Sequence, residues 1–376
     1  MKLSVIIVNY NSVPFLIHCL HTVHQAKEAL MKQLSVATEL IVIDNASTSG
    51  DIHLINQYFS DVKILVNDEN LGFAKANNRA LTMATGNFVL FLNPDTLVQP
   101  QTFVYTIEQL LKNEKIGAVG VRMIDGAGRF LPESKRGYPS LWASFMKMSK
   151  LYRLNERSSF LNKYYAPHIK EKANGRVTVL SGAFMLVRKN ILDEVNGFDE
   201  RYFMYGEDID LSVQIEKAGY ENWYLGQHTI VHYKGESTVK DRVYLKRFYG
   251  AMELFVAKYH PWQTPYLNKI LKSFVKIKSG KLQPEDNQNH TITNEISLEY
   301  ELLNSSLLPE HKIFAANKPK ATKKVWVINR EEGIEGFIKF LETNISRWKG
   351  VYIHPYPFII ESVSGDRRGS IYRTDL

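Results

Sequence analysis

Cysteine is almost absent from this chain of 376 residues, which contains only Cys19. A single cysteine forms no disulfide within the chain, and it excludes structural zinc sites that are built on several cysteines. Such cysteine usage is typical of a reducing compartment. We therefore expect a cytoplasmic protein.

Long hydrophobic runs are absent as well. The apolar run at residues 3–8 is far too short for a signal peptide or a membrane span, and no small-residue cleavage site follows it. No other stretch approaches the length of a spanning helix. The sequence thus predicts a soluble or peripheral protein.

Several common catalytic motifs are missing: the phosphate-binding loop of ATPases, the glycine fingerprint of dehydrogenases, HExxH and GxSxG. The charge excess is modest, with 47 Lys plus Arg against 39 Asp plus Glu. A net charge of +8 suits phosphate-bearing ligands, an anionic membrane or nucleic acid. Because the basic residues are dispersed and accompany no nucleic-acid motif, we expect no nucleic-acid partner.

The first half of the chain alternates strand-like and helix-like segments. Strands are predicted at residues 3–9, 39–44, 62–66 and 87–92, and helices at 14–31, 52–59 and 74–84. Near-continuous apolar strands separated by helices predict an α/β fold whose mostly parallel sheet is covered on both faces. Ligands of such sheets bind at the carboxyl ends of the strands.

Polar residues fall at those strand ends. Asn9, Asp44, Asn67 and the segment 93–95 each follow or end one predicted strand. Solvated loops supply polar residues anyway, so any one alone is explained without a function. Four in succession on one edge favour a binding site there.

The second block, from about residue 117 to 232, is mixed. Strands are predicted at 118–123, 177–187, 222–225 and 229–232, and a helix at 207–218. Residues 141–172 interleave aromatic and aliphatic side chains with seven Lys or Arg, which fits an ordinary amphipathic insertion or a segment resting on anionic lipid. Beyond residue 325 the pattern allows a small β-α-β unit.

Asp95 is the first candidate for chemistry. It stands in NPDT, directly after a predicted strand and beside a proline-fixed turn. A carboxylate there can hold Mg²⁺ or Mn²⁺ together with phosphate oxygens and water. A turn in which Asp95 bonds its own backbone would give the same pattern.

Acidic residues also cluster at the start of the predicted helix at 207–218, where Glu207, Asp208 and Asp210 follow a glycine and an aromatic-rich stretch. Acids at a helix start commonly complement its dipole. A carboxylate in that position can equally act as a general base towards a hydroxyl. His232, which ends a predicted strand, is a candidate second metal ligand, although a lone histidine is usually a packed or surface residue.

Taken together and in order, these segments resemble the family 2 glycosyltransferases, especially the bacterial branch of rhamnosyl- and galactofuranosyl-transferase-like enzymes. The matching segments are VIIVNYN (5–11), VIDNAS (42–47), NLGFAKANNRA (70–80), FLNPDT (91–96), SGAFMLVRK (181–189), FDERYFMYGEDIDL (198–211) and HYKGES (232–237). They cover about residues 1–260, some two-thirds of the chain.

This resemblance implies a GT-A fold, which joins a nucleotide-binding half to an acceptor half. Accordingly we expect a catalytic domain over residues 1–265, divided at about residue 116. A helical or linker region at 266–324 and a small C-terminal α/β segment at 325–376, of unknown role, would follow.

The resemblance also implies roles for individual residues. Asp208 would be the catalytic base with Glu207 beside it, and Asp95 and His232 would bind Mg²⁺ or Mn²⁺. Contacts with the nucleotide sugar would come from Asn9, Asn11, Asp44, Asn70, Gly72, Phe73, Asn77, Asn93 and Asp95. One departure from the family's DxD-type motif is Asn93 in place of the first acid, which leaves a single carboxylate for the metal.

The predicted reaction is inverting transfer of a sugar, with dTDP-rhamnose favoured over UDP-sugars, to a hydroxyl of a cell-surface glycan or lipid-linked saccharide. Peripheral contact with the inner face of the cytoplasmic membrane would accompany it. A nucleotidyltransferase is disfavoured because VIIVNYN lacks a glycine-rich loop with a basic residue. A non-catalytic sugar-nucleotide-binding relative is disfavoured because Asp95, Asp208 and His232 are all present.

Overall fold

The computed structural model describes residues 1–48, 51–139, 151, 155, 158, 163–233, 242–264, 300–302, 323–325, 333–343, 351–353, 358–361 and 370–373. Most of the predicted insertion at 141–172, most of the linker at 266–324 and residues 234–237 of HYKGES lie outside the described residues.

A sheet of nine strands forms the centre of the fold. Its strands are β1 (Lys2–Asn9), β2 (Ala37–Asp44), β3 (Val62–Val66), β4 (Phe88–Leu92), β5 (Thr96–Leu97), β6 (Ile116–Ile124), β7 (Asn174–Val177), β8 (Phe184–Arg188) and β9 (Glu221–His232). They lie in the order β3-β2-β1-β4-β8-β6-β9-β5, with β7 paired to β9. Strands β1–β4, β6 and β9 run in one direction, and β5, β7 and β8 run in the other.

Helices cover both faces of this sheet. The described helices are α1 (Val13–Leu34), α2 (Leu54–Tyr58), α3 (Phe73–Leu81), α4 (Thr102–Lys112), α5 (Lys189–Glu194), α6 (Glu207–Lys217), α7 (Arg242–Tyr259) and α8 (Gly333–Thr343). Val5 and Ile7 of β1 pack with α1 and α4, whereas Ile6 and Val8 pack with α3 and α6. Successive strand residues face opposite layers, so a strand buried on both faces reads as one apolar run. The predicted α/β sheet of mostly parallel strands flanked by helices is confirmed.

Two strand predictions in the second block were wrong. Residues 177–187 form the end of β7, a connecting segment and β8, because 178–183 leave the sheet. Residues 222–225 and 229–232 belong to a single strand, β9, whose pairing with β6 shifts between Val121 and Arg122. Residues 226–228, which separate the two predicted strands, are extra residues of β9 at this irregularity.

The C-terminal part differs from the expected β-α-β unit. The strand before α8, Lys323–Val325, pairs with Tyr300–Leu302. The strand after α8, Val351–Ile353, pairs with Phe358–Glu361. The two strands that flank α8 therefore belong to different sheets. The helix itself contributes Ile334, Phe337 and Ile338 to the core of the main sheet.

The hydropathy of the helices in the described part of the chain bears on membrane insertion. None of those helices combines the length and the hydropathy that crossing a bilayer requires.

Candidate active site

The first part of the site lies where β1 and β2 end side by side. Asn9 is paired in register with Asp44, and both side chains are buried. Asn9 Nδ2 donates to Asp44 Oδ1 at 2.7 Å, and Ser47 donates to Asp44 from both its backbone N–H and its hydroxyl. The Asn9 Oδ1 atom is buried and has no hydrogen-bond partner among the described residues. An oxygen in that state is available to a bound ligand.

Asn11 holds the loop after β1 against the loop after β2. Its backbone lies in the left-handed region, at φ 52°, which asparagine tolerates better than most residues. Its Oδ1 accepts from the Thr48 backbone N–H at 2.8 Å, and its own N–H donates to Ser47 Oγ at 2.8 Å. Asn11 thus fixes the two loops that border the ends of β1 and β2.

A network of asparagines extends the same edge. Asn45 Nδ2 donates to Asn70 Oδ1 at 2.8 Å, and Asn45 Oδ1 accepts from Asn67 Nδ2 and from the Leu71 backbone N–H. Asn70 Oδ1 also accepts from the N–H of Gly72 at 3.0 Å. Asn45 was not among the predicted site residues, although it stands inside the quoted motif VIDNAS. The network fixes the loop from residue 67 to 72 over the ends of β2 and β3.

Gly72 and Phe73 begin helix α3 in contact with a distant loop. The Phe73 N–H donates to the Phe203 carbonyl at 2.7 Å, and a Cβ on Gly72 would lie 2.3 Å from that same oxygen. Gly72 also has a φ of 79°, which favours glycine. The lack of a side chain at Gly72 therefore allows the backbone of Phe203 to approach closely. One turn on, Asn77 is buried and donates to the Phe73 carbonyl at 2.9 Å.

Asn93, Asp95 and His232 meet at a second corner of the site. Asp95 precedes β5 and His232 ends β9, and β5 pairs with β9 so that Thr96 stands opposite His232. His232 Nε2 lies 3.3 Å from Asp95 Oδ1 and 3.4 Å from Asn93 Nδ2. Asp95 is 2% exposed and His232 is 7% exposed.

This corner fits a shared cation. Asp95 Oδ1 is buried without a hydrogen bond among the described residues, although the His232 imidazole is close to it. A carboxylate oxygen and an imidazole nitrogen that face each other in this way are a donor pair that Mg²⁺ or Mn²⁺ accepts. Among the described residues no group of three or more His, Cys, Asp or Glu could hold a metal. Remaining ligands would have to come from Asn93, water or substrate oxygens.

Asp208 lies in the first turn of α6, behind Tyr205 and Gly206, which both have positive φ values of 71° and 87°. Its Oδ2 accepts from Arg136 Nη2 at 2.6 Å and from the Gly182 N–H at 3.0 Å. Its Oδ1 accepts from the Ile209 N–H at 2.8 Å. Three hydrogen bonds, one of them from a buried arginine, hold this carboxylate in one orientation.

Glu207 has the opposite environment. It is 7% exposed, and its Oε2 has no hydrogen-bond partner among the described residues. Burial, together with the neighbouring Asp208 carboxylate, raises the pKa of Glu207 well above the usual range of a glutamic acid. Glu207 therefore favours its protonated form, in which it can donate a hydrogen bond.

The connecting segment at 181–183 joins the two corners. The Ala183 carbonyl accepts from the Asn93 N–H at 3.0 Å, while the N–H of neighbouring Gly182 binds Asp208. A Cβ on Gly182 would touch both Asp208 and the Phe73 ring. The predicted base and the Phe73 ring thus both approach Gly182, and Asn93 of the predicted metal corner binds the next residue, Ala183. This segment belongs to the motif SGAFMLVRK, for which the sequence predicted no role, and Arg136 was not among the predicted site residues.

The chain is similar to several known proteins. The model of Glycosyl transferase family 2 matches residues 4–195. The N-acetylglucosaminyl-diphospho-decaprenol L-rhamnosyltransferase of Mycobacterium tuberculosis is 30% identical over 67% of this chain and 87% of its own length. Rhamnosyltransferase WbbL of Escherichia coli K12 is 29% identical over 43% of this chain and 61% of its own. Among solved structures, the mannosyltransferase PcManGT of Pyrobaculum calidifontis is 18% identical, with a TM-score of 0.47 over 74% of this chain and 70% of its own.

Proposed function

The chain belongs to glycosyl transferase family 2, and we propose that it moves a deoxyhexose, favoured as rhamnose from dTDP-rhamnose, onto a lipid-linked saccharide with inversion. The observation that carries the catalytic part is the junction at 181–183, where Gly182 binds Asp208 and Ala183 binds Asn93. Because the adjacent residues Gly182 and Ala183 bind Asp208 and Asn93, the base and the diphosphate-binding corner lie close enough to act in one transfer reaction.

Nucleotide binding is assigned to the edge where β1 and β2 end. Asn9 Oδ1 is buried and has no hydrogen-bond partner among the described residues, so it can accept a hydrogen bond from a base or a ribose hydroxyl. Asn11 and Asp44 belong to the same strand ends and loops. The loop from Asn70 to Phe73 would close over the donor, with Asn77 keeping the start of α3 in shape.

A divalent cation, Mg²⁺ or Mn²⁺, would be held by Asp95 and His232 beside Asn93. Bound there, it would neutralise negative charge on the departing diphosphate. With a single carboxylate in the corner, we expect tight metal binding only when donor phosphate oxygens complete the ligand set.

Asp208 acts as the general base in this proposal. It takes the proton from the acceptor hydroxyl while the acceptor oxygen forms a bond to the anomeric carbon and the bond from that carbon to the diphosphate breaks. No side chain attacks the sugar, so the configuration inverts in one displacement. Glu207 retains its proton at neutral pH and is a hydrogen-bond donor in the same pocket.

Rhamnose as the sugar and a lipid-linked saccharide as the acceptor rest on the names of the similar rhamnosyltransferases. Transfer of another sugar, from a UDP-sugar, is the second candidate. A relative named poly-beta-1,6-N-acetyl-D-glucosamine synthase, 26% identical over 56% of this chain, favours a sugar other than rhamnose. Peripheral membrane contact through residues 141–172 would bring the site to such an acceptor. Sedimentation with anionic vesicles at low salt tests that contact, and recovery of the protein in the supernatant would contradict it.

Calorimetric titration with dTDP-rhamnose, UDP-sugars and GDP-sugars, with and without Mn²⁺, tests the donor assignment. We expect metal-dependent binding of one nucleotide class and its loss in Asp95→Ala. If all nucleotides fail to bind to the wild type, the proposal is wrong and a non-catalytic relative remains.

A further inference from the structure

Asp208 has a partner that the sequence alone did not reveal. Arg136 follows β6, and its backbone forms an antiparallel bridge with Val179, with hydrogen bonds of 3.0 Å in both directions. This bridge fixes the arginine beside the segment that leads to Gly182. Its side chain is 9% exposed, although guanidinium groups are rarely buried unless paired.

One nitrogen of Arg136 makes two contacts. Nη2 donates to Asp208 Oδ2 at 2.6 Å and to the Leu180 carbonyl at 2.6 Å. The same carboxylate oxygen accepts from the Gly182 N–H, so Oδ2 already receives two hydrogen bonds. Among the described residues, Oδ1 accepts a hydrogen bond only from the N–H of Ile209, which belongs to the same helix. Because a carboxylate oxygen accepts two hydrogen bonds, Oδ1 keeps a lone pair for a hydroxyl proton.

We infer that Arg136 is a positioning residue for the proposed base, holding Asp208 by Oδ2 so that Oδ1 is the atom that receives the acceptor proton. This inference rests on the proposed transfer reaction. Arg136 itself does not touch substrate; it acts through Asp208, across a pair of residues that tertiary packing brings together.

Other titratable groups lie close to the pair of Arg136 and Asp208. The titratable groups that interact with the pair are Glu207, beside Asp208, and Tyr164, beside the guanidinium. Asp208 is the largest influence that raises the pKa of Arg136, against the opposing effect of burial. The arginine therefore stays charged throughout the neutral pH range.

Kinetics of Arg136→Met and Arg136→Lys test the inference with the full chain and its donor. Misplacing a reacting group can cost about 100-fold in rate, so we expect Arg136→Met to lower kcat by about that factor with donor KM nearly unchanged. Arg136→Lys retains a charged donor and should recover part of the loss. Arg122→Met removes another buried arginine, paired with Glu171 and Glu342, and controls for the general cost of losing one.

A double-mutant cycle separates positioning from folding. If Arg136 acts through Asp208, adding Arg136→Met to Asp208→Asn should lower kcat no further than Asp208→Asn alone. Where the Asp208→Asn rate is too low to measure, the pH profile of kcat/KM replaces it, and the acid limb should move to higher pH in Arg136→Met but not in Arg122→Met.

Two outcomes would overturn the inference: independent, multiplicative losses in the cycle, or an Arg136→Met loss in KM for donor with kcat and the acid limb unchanged. If Arg136→Met does not fold, a kcat loss in Arg136→Lys that exceeds that of Arg122→Met, with donor KM nearly unchanged, supports the inference. A kcat loss in Arg136→Lys no larger than that of Arg122→Met, with a shifted donor KM, contradicts it. A wild type that transfers no sugar refutes the proposed function instead, before any variant is compared.

Discussion

His232 Nε2 lies 3.3 Å from Asp95 Oδ1 at the junction of β5 and β9, yet Asp95 Oδ1 has no hydrogen bond among the described residues. A buried carboxylate oxygen left in this way costs free energy unless a ligand completes it. We expect Asp95→Ala to abolish the Mn²⁺-dependent part of donor binding, and His232→Ala to weaken it. Calorimetry with and without Mn²⁺ measures both, and Asp61→Ala, at an exposed ion pair with Lys27, is the matched control. Metal-enhanced binding that survives in Asp95→Ala would remove this corner from the metal site.

Asp208→Asn should lower kcat by roughly 100- to 10,000-fold, the usual contribution of a general base, while donor affinity stays near that of the wild type. The amide preserves the shape of the side chain and loses its basicity. Steady-state kinetics and donor titration are the two measurements. If the variant keeps normal turnover, another group accepts the proton.

Glu207→Gln is expected to raise the free energy of unfolding. The pKa of Glu207 is raised in the folded protein, so folded Glu207 keeps a proton that unfolded Glu207 releases above about pH 4.3. The free energy of unfolding of the wild type therefore falls as pH rises from about 4.3 towards the raised pKa of folded Glu207. Since a neutral glutamine escapes this loss, the variant should gain relative stability between pH 5 and about pH 8. Urea unfolding at several pH values tests it, and a difference that stays constant with pH would contradict it.

Glu39 ties the start of the sheet together, and its pKa is lowered to about 2 because hydrogen bonds from Ser4, Thr85 and Lys2 outweigh the opposing effect of burial. The folded pKa lies below the unfolded one. Its stabilisation is therefore complete above about pH 4.5 and is lost as pH falls to about 2. We expect Glu39→Gln to cost about 2 to 3 kcal/mol of unfolding free energy at pH 7 and little near pH 2. Chemical denaturation at both pH values provides the comparison.

Gly72→Ala should damage both stability and donor binding. The backbone of Gly72, at φ 79° and ψ 177°, lies in a region that glycine almost alone adopts and that costs other residues about 1–3 kcal/mol. The new Cβ would also lie 2.3 Å from the Phe203 carbonyl. Because the same loop is proposed to cover the donor, we expect a lower melting temperature together with a higher donor KM. Gly219→Ala, also at a positive φ but with open space around it, controls for the backbone term. Equal effects in the two variants would mean that the contact with Phe203 does not matter.

Local pattern predicted the first half of the fold well, because a strand buried on both faces is an apolar run that ends where the sheet ends. The bounds 62–66 were matched by β3, and Asn9 and Asp44 fell on the last positions of β1 and β2. Parallel register then brings such ends together, which explains why Asn9 and Asp44 contact each other. The same reasoning was wrong at 177–187, where hydrophobicity continues through a segment that leaves the sheet.

Sequence by itself determined which residue types stand at the strand ends and at the start of α6, and the ordered motifs indicated the family. Only the tertiary structure decided that β8 enters antiparallel between β4 and β6, that Phe203 closes on Gly72, and that Arg136 grips Asp208 beside Gly182. The physical reason is that periodicity, capping and turn chemistry act over a few neighbouring residues. Contacts between residues such as Arg136 and Asp208 depend on how whole elements pack, which no local pattern records.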